Sequence, residues 1–495
     1  MNTDINEMNF YNDEKPHEEC GVFGIYKNDD DINTVAEVYS GLYALQHRGQ
    51  HSAGICVNDN GKFKCYKNNG VVSEALDVST VNELPNGKIA IGHVRHSFYS
   101  NDNRNARNHD KHDIASVQPL LMRYINGSLA IAHNGAITNI AELHKELEEG
   151  GAIFQSNSNA ELIAYVIASR RLQTSSIEDA VLKAMDMVEG AYSIVMTSPS
   201  KLIAVRDPHG FRPLCLGKIK NSYLVSSESC AFDSLGAEFI RDIQPGEMVV
   251  IDEEGLHSYT EHCGQKTSMC IFEQIYVSRP DSVIDNQCVH NFRMNVGATL
   301  AKKYPVEADV VCGVPDSGVS CAIGYANASG IPYGVAIIKN KYLGRTLAMS
   351  DSNNLKQRTL EIKINVLKPT VDGKRVVIID DSVVRGGTIA HIVELLKKAG
   401  AKEVHVRVAS PQFRETCYYG TNLPAKEEFV SYTAESNQIC EKIGADSLEF
   451  IQIEDLLNCA NDSKVDFCTA CFTGNYPTEV PAEKFVDKFS KKLVK

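Results

Sequence analysis

The run "RVVIIDDSVVRGGT", residues 375–388, constrains the fold more than any other stretch of the chain. Residues 376–379 are wholly apolar and β-favouring, and read as a strand that delivers two adjacent carboxylates, Asp380 and Asp381, to its carboxyl end. A loop with Arg385, Gly386, Gly387 and Thr388 follows, just as a helix begins. In that helix Ile389, Ile392, Val393 and Leu396 fall at i, i+3, i+4 and i+7, and Gly400 supplies a left-handed stop. The same rhythm recurs in "ADVVCGVP" and "KEVHVRVAS", so the spacing predicts a parallel sheet with crossover helices and a site beyond the strand carboxyl ends. Gly386 to Thr388 place backbone N–H groups and a helix N-terminus together, which suits a phosphate. The acidic pair cannot serve that phosphate. Carboxylates beside a phosphate site hold Mg²⁺ or sugar hydroxyls, and the two together describe a phosphorylated ribose. Neither GxxxxGK[ST] nor GxGxxG is present in this run.

The first half is built differently. From Cys20 to about Ile251, short alternating segments such as "CGVFGIY", "HSAGICV", "IAIGHVRHS" and "SLAIAHNGAI" read as strands. Two stretches at helical spacing, "INTVAEVYSGLYALQHRG" and "NAELIAYVIASRR", interrupt them, which predicts an α+β domain with stacked sheets. The polar segment "EEGLHSYTEHCGQKTSM" reads as a connection. With 495 residues in all, two domains are expected, at 20–255 and 270–477, with a C-terminal segment to 495. A net charge of -13 excludes a general nucleic-acid or anionic-membrane binder. No uncharged apolar run approaches the roughly 18 residues of a membrane span, and the polar, acidic N-terminus lacks the features of a signal or transit peptide, so a cytoplasmic protein is expected. The fifteen scattered cysteines do not form a secreted disulfide framework; thiols, metal ligands and a nucleophile are the expected uses, with Cys56, Cys312 and Cys321 in the core.

The run at 375–388 resembles the 5-phosphoribosyl 1-pyrophosphate (PRPP) signature of type I phosphoribosyltransferases. Preceded by "CGVFG", and accompanied in order by "LQHRGQHSAGI", "GHVRHS", "AHNGAI", "RDPHGFRPL", "SSES", "VPDSG", "GIPYG", "IKNKYLGRT", "IGADSL" and "CFTGNYPT", it is similar to the amidophosphoribosyltransferase family from Cys20 to about Pro477. The resemblance implies an N-terminal nucleophile (Ntn) hydrolase glutaminase of αββα layers, followed by the α/β transferase. The implied reaction moves ammonia from glutamine to C1 of PRPP, giving 5-phosphoribosylamine, glutamate and pyrophosphate at the opening of purine synthesis. It also implies that residues 1–19 are a propeptide, removed so that Cys20 becomes a nucleophile whose own α-amine acts as base. By the same resemblance Arg95 holds the glutamine α-carboxylate, Asn134 and Gly135 form the oxyanion hole, and Asn159 meets the α-ammonium. Ser317 with Asp380 and Asp381 arranges Mg²⁺; Lys339 and Arg345 belong to a mobile basic loop over PRPP; Arg385, Gly386, Gly387 and Thr388 hold the 5-phosphate. Cys270, Cys417, Cys468 and Cys471 match the ligands of a 4Fe-4S cluster found in part of the family, although four thiolates suit structural zinc as well. Homodimers or homotetramers inhibited by purine nucleotides are implied too.

The chain departs from the family pattern in places. "SNAE" stands for an "SDTE"-like motif, so Asn159 replaces an acidic residue and Glu161 is left as the other candidate partner of the α-ammonium. "RGGT" replaces "RGTT" at Gly387, "LAMSDSN" replaces an "F-I-x-P" stretch, and "LEIKIN" puts Glu361 or Ile362 at an arginine position. These leave two alternatives beside the coupled enzyme: a paralogue using ammonia or another amine with PRPP, and a PRPP-sensing regulator.

Overall fold

The computed structural model describes residues 20–96, 114–340 and 364–481. The first domain is a sandwich of two antiparallel sheets. One sheet has the order β11-β9-β10-β1-β4-β2-β3 and the other β13-β12-β8-β7-β6-β5. The strands are β1 (Gly21–Tyr26), β2 (Ser52–Asp59), β3 (Lys62–Asn69), β4 (Ile89–Arg95), β5 (Leu120–Tyr124), β6 (Gly127–Asn134), β7 (Ser193–Thr197), β8 (Leu202–Arg206), β9 (Cys215–Ile219), β10 (Ser222–Ser226), β11 (Glu238–Asp242), β12 (Met248–Asp252) and β13 (Gly255–Tyr259).

The period-2 pattern of β1 decides the layering. Phe23 and Ile25 face helix α1 (Thr34–Ala44), with Val35, Val38 and Leu42. Val22 and Tyr26 face the other sheet, with Ala130, Val195 and Leu202. Gly24 lies on that inner face because a Cβ there would stand 2.7 Å from Val195 Cγ1. Helices α2 (Asn159–Arg171) and α3 (Ile177–Met185) cover the second sheet through Leu162, Val166, Ile177 and Val181. The result is the expected αββα stack, and α2 coincides with "NAELIAYVIASRR".

Two sequence expectations change here. The stretch read as a connection contains β13, an edge strand paired along its whole length with β12; its polar composition reflects an edge whose outer side meets water. Cys56 is buried, but it is not a core thiol: the β2–β3 register sets it opposite Cys65, to which it is disulfide-bonded. Cys312 and Cys321 are buried thiols as expected.

The second domain carries a four-stranded parallel sheet of β14 (Val310–Gly313), β15 (Arg375–Asp380), β16 (Glu403–Val408) and β17 (Ser447–Phe450) in that order. Helices α4 (Val289–Lys303) and α5 (Gly318–Ser329) lie against each other on one side, and α6 (Gly387–Lys398) presents Ile389, Ile392, Val393 and Leu396 to the core. Gly400 has φ +101°, the left-handed stop expected after α6. No described helix is long and apolar enough to cross a membrane.

Candidate active sites

Antiparallel pairing assembles the first site. Cys20 directly precedes β1, where Gly21 pairs with Val94, so Cys20 lies beside Arg95, the last residue of β4. From the same face of β4, His93 Nε2 donates to the His133 carbonyl of β6 at 3.1 Å. That bond brings Asn134 and Gly135, at the end of β6, to the same end of the sandwich as Cys20. Burial pushes the His93 pKa down to about 3 and that of His133 to about 4, so both are neutral connectors at pH 7. Burial likewise raises the Cys20 thiol, opposed by the backbone of His96 and by the guanidinium charges of Arg95 and Arg48. Arg95 donates to Ser116 Oγ at 2.9 Å.

Asn134 is completely buried, yet among the described residues neither its amide nitrogen nor its amide oxygen has a hydrogen-bond partner. Native proteins seldom leave such a group unpaired without a functional reason. Gly135 has φ +129°, and a Cβ on it would fall 2.2 Å from the Ala191 carbonyl oxygen, so only glycine fits this turn.

Asn159 is half-buried at the first position of α2, behind the N-cap Ser158. Glu161 is engaged within its own loop. Its carboxylate accepts from Gln155 N (2.8 Å), Ser156 N (2.7 Å) and Ser156 Oγ (2.6 Å), so it folds the preceding loop back on the helix.

The second site lies beyond the carboxyl ends of β14 and β15, as the strand-helix rhythm predicts. Asp380 and Asp381 are buried. Asp381 accepts one bond from Ser382 Oγ at 2.6 Å and another from Ser317 Oγ, the residue before α5. Asp380 Oδ1 accepts from Asp381 N. Gly318 permits that approach, because a Cβ there would stand 2.4 Å from the Ile379 carbonyl oxygen. Gly386 has φ +89° and caps α6, so Gly387 and Thr388 form the first turn. Arg385 donates to Glu428 at 2.6 Å and Lys339 to Asp316 at 2.8 Å. Arg345, Glu361, Ile362 and residues 1–19 lie outside the described residues.

Cys270, Cys417, Cys468 and Cys471 are also drawn together, as free thiols. Cys270 and Cys468 are partners in a two-residue parallel ladder joining Met269–Cys270 to Phe467–Cys468. Burial, with Cys270 and Cys417 nearby, pushes the Cys468 thiol up to about 12, and Cys471 is raised by burial and the other three. The four lie within electrostatic range of one another, but no three His, Cys, Asp or Glu side chains among the described residues are arranged to hold a single metal ion. Four soft donors sharing one half-buried location suit an iron-sulfur cluster or zinc alike.

A set of fully buried charges is the feature that residue patterns did not disclose. Arg48, Arg206 and Arg212 are completely buried, with Glu228, Glu273 and Asp285 as their carboxylate partners. The available signal was that Arg48, Arg206, Arg212 and Glu228 stand inside the ordered motifs "LQHRGQHSAGI", "RDPHGFRPL" and "SSES".

The sandwich with its N-terminal cysteine and the acidic-pair sheet together define a class: a glutamine amidotransferase joined to a phosphoribosyltransferase. Family profiles agree, one described as a glutamine amidotransferase domain matching residues 105–234 and one as a phosphoribosyl transferase domain matching 290–415. Amidophosphoribosyltransferase from Bacillus subtilis (strain 168) is 42% identical over 469 residues, covering 94% of this chain and 95% of that protein. The Methanocaldococcus jannaschii amidophosphoribosyltransferase is 40% identical over 484 residues, 95% of this chain and 100% of that protein. Among solved structures, the glutamine PRPP amidotransferase from B. subtilis complexed with ADP and GMP superposes with TM-score 0.84 at 41% identity, covering 94% of this chain and 99% of that one. The chain belongs to the amidophosphoribosyltransferase family. It is an enzyme that transfers ammonia from glutamine to PRPP in purine biosynthesis.

Proposed function

We propose that Cys20, freed as an N-terminus by loss of residues 1–19, is the glutaminase nucleophile. The reading is carried by one observation: the end of the sandwich that holds Cys20 and Arg95 also holds Asn134, whose buried amide has no partner among the described residues. A raised, buried thiol needs a local base, and the α-amine released by cleavage before Cys20 is that base. Arg95 holds the substrate α-carboxylate. Sγ attacks the glutamine side-chain carbonyl carbon, and its proton passes to the α-amine. Asn134 Nδ2 and the Gly135 N–H donate to the oxyanion as the C–N bond breaks and ammonia leaves with the proton. Water then cleaves the thioester to glutamate. Asn159 meets the α-ammonium through its amide oxygen, without the charge an aspartate would supply.

In the second domain, Gly386, Gly387 and Thr388 hold the 5-phosphate and Arg385 turns to it from Glu428. Asp380 and Asp381 hold the ribose hydroxyls and, with Ser317, a Mg²⁺ ion, for which these hard oxygen donors are suited. When bound, Mg²⁺ supplies charge stabilisation to the departing pyrophosphate. Ammonia nitrogen bonds to C1, the C1–O bond breaks with its electron pair leaving on pyrophosphate, and the amine loses a proton. Lys339 and Arg345 close over the substrate and exclude water. The four cysteines hold a 4Fe-4S cluster that pins the C-terminal segment to the domain junction. The enzyme works in the cytoplasm as a homodimer or homotetramer, with purine nucleotides as inhibitors. The relative complexed with ADP and GMP supports that last point.

The test is pyrophosphate release from PRPP and Mg²⁺ by anaerobically purified protein, with glutamine or ammonium as nitrogen donor. Release with both is expected. Release with ammonium alone refutes the nucleophile reading, and release with neither refutes the transferase reading. Intact mass shows whether the active species begins at Cys20, and iron and sulfide analysis against zinc decides the occupant of the four thiols.

A further inference from the structure

Arg48 uses all three guanidinium nitrogens. Nε donates to the main-chain carbonyl of Cys20 at 3.2 Å. Nη1 donates to Glu228 at 2.5 Å and Glu273 at 3.0 Å, and Nη2 donates to Glu273 at 2.7 Å. Glu228 belongs to the sandwich, after β10, whereas Glu273 opens the helical turn Glu273–Val277 in the segment that leads into the second domain. We propose that Arg48 is a positioning residue that locks the main chain of the nucleophile to the entry of the phosphoribosyltransferase domain, making glutamine cleavage depend on how the two domains are docked. The inference rests on the reading of Cys20 as nucleophile.

Independent contacts from the second domain lead to the same place. Glu228 accepts from Ser282 Oγ at 2.6 Å and from Arg279 N at 3.0 Å, both beyond the junction. Glu273 is shared with Arg212, whose Nη2 donates to the Tyr419 carbonyl at 2.7 Å. Next to Tyr419, Gly420 packs on the oxyanion turn itself: a Cβ there would stand 3.2 Å from the carbonyl carbon of Gly135. The second domain therefore touches both parts of the glutaminase machinery, the Cys20 main chain through Arg48 and Glu273, and Gly135 through Gly420. Stability alone is a poor reason for this arrangement, since buried ion pairs are often matched by well-packed apolar residues. Geometry is a better one, since a misplacement of about 1 Å at a reacting group can cost about 100-fold in rate. Burial opposes the Arg48 charge, but Glu273 and Glu228 more than offset it, so the lock stays charged throughout the working pH range.

The experiment uses the purified full-length enzyme with Arg48→Lys, which keeps the charge but cannot span three acceptors, and Glu273→Gln, which keeps the shape and loses the charge. For Arg48→Lys the glutamine-dependent kcat is expected to fall about 30–100-fold, with the glutamine KM within about threefold and ammonium-dependent pyrophosphate release within about twofold of the parent. Glu273→Gln is expected to fall about tenfold in the same pattern, because Glu228 still holds Arg48. Arg48→Gln separates charge from geometry. The pH midpoint for alkylation of Cys20 by iodoacetamide should rise in this variant and stay in place in Arg48→Lys, a shift that a merely structural role would not produce. Equal loss with both nitrogen donors, or an unchanged glutamine kcat in the two folded variants, overturns the proposal. If Arg48→Lys does not yield folded protein, Glu273→Gln decides alone. A parent enzyme without glutamine turnover overturns the nucleophile reading instead, and this inference with it.

Discussion

Replacing Asn134 by alanine should abolish most glutamine use while changing the protein's stability only modestly, and the two effects come from the same structural fact. The side chain is fully buried, with both amide atoms unpaired among the described residues. As a donor to a developing oxyanion its removal should lower glutamine-dependent kcat by about 10²–10³, equivalent to about 2.7–4 kcal/mol of transition-state stabilisation. In the resting protein the same amide is a liability, because an unsatisfied buried polar group costs about 1–3 kcal/mol. Deleting it leaves a small cavity that costs roughly 1–3 kcal/mol. The two terms oppose each other and differ by at most about 2 kcal/mol, so the thermal midpoint should move by no more than about 8 °C. The assay is glutamate formation and pyrophosphate release with each nitrogen donor, beside a thermal scan of both proteins. A fall of less than tenfold with glutamine, or a parallel fall with ammonium, would refute the oxyanion assignment. A large drop in midpoint would show that Asn134 is a structural residue.

Asp381→Asn should reduce pyrophosphate release by at least about 100-fold with either donor, because it removes a charge from the proposed Mg²⁺ and ribose site; loss with glutamine alone would refute the assignment. Gly318→Ala brings a Cβ to 2.4 Å from the Ile379 carbonyl oxygen, so Ser317 is pushed from Asp381 and ammonium-dependent turnover falls while glutamate formation survives. His93 has a folded pKa of about 3 against an ordinary value near 6.5, so its contribution to stability is complete above pH 6.5 and is lost as pH falls toward the folded value. The stability difference between the parent and His93→Gln should accordingly shrink by up to about 1.4 kcal/mol per pH unit below 6.5, measured by urea unfolding at pH 7.5 and 5; a constant difference would refute it.

The phosphate end was legible because its information is local. Strand, acidic pair, glycine loop and helix follow one another within 375–398, and one turn of chain sets each against the next. The glutaminase end was legible only by resemblance, since Cys20, Arg95 and Asn134 are brought to one end of the sandwich by β1–β4 pairing and a bond between two sheets, which no short window of sequence contains. Least legible were Arg48, Glu228 and Glu273. A charged residue is read as solvated by default, and only the partner, 180 residues away for Arg48 and Glu228, reverses that reading. The bonding of Glu161 to Gln155 and Ser156 was hidden for a related reason, since sequence shows a residue's type and not its partners.

The contact of Gly420 with Gly135 also has a meaning in the order of synthesis. A ribosome makes the sandwich first, and Cys20 can reach its place beside Arg95 once β1 and β4 have emerged. The surface that backs the Gly135 turn is made hundreds of residues later, and the ladder between Met269–Cys270 and Phe467–Cys468 closes later still. On the proposed reading, a nascent or C-terminally broken chain lacks the support that the second domain gives to Cys20 and Gly135. Such a fragment, with no acceptor for released ammonia, would then spend little glutamine.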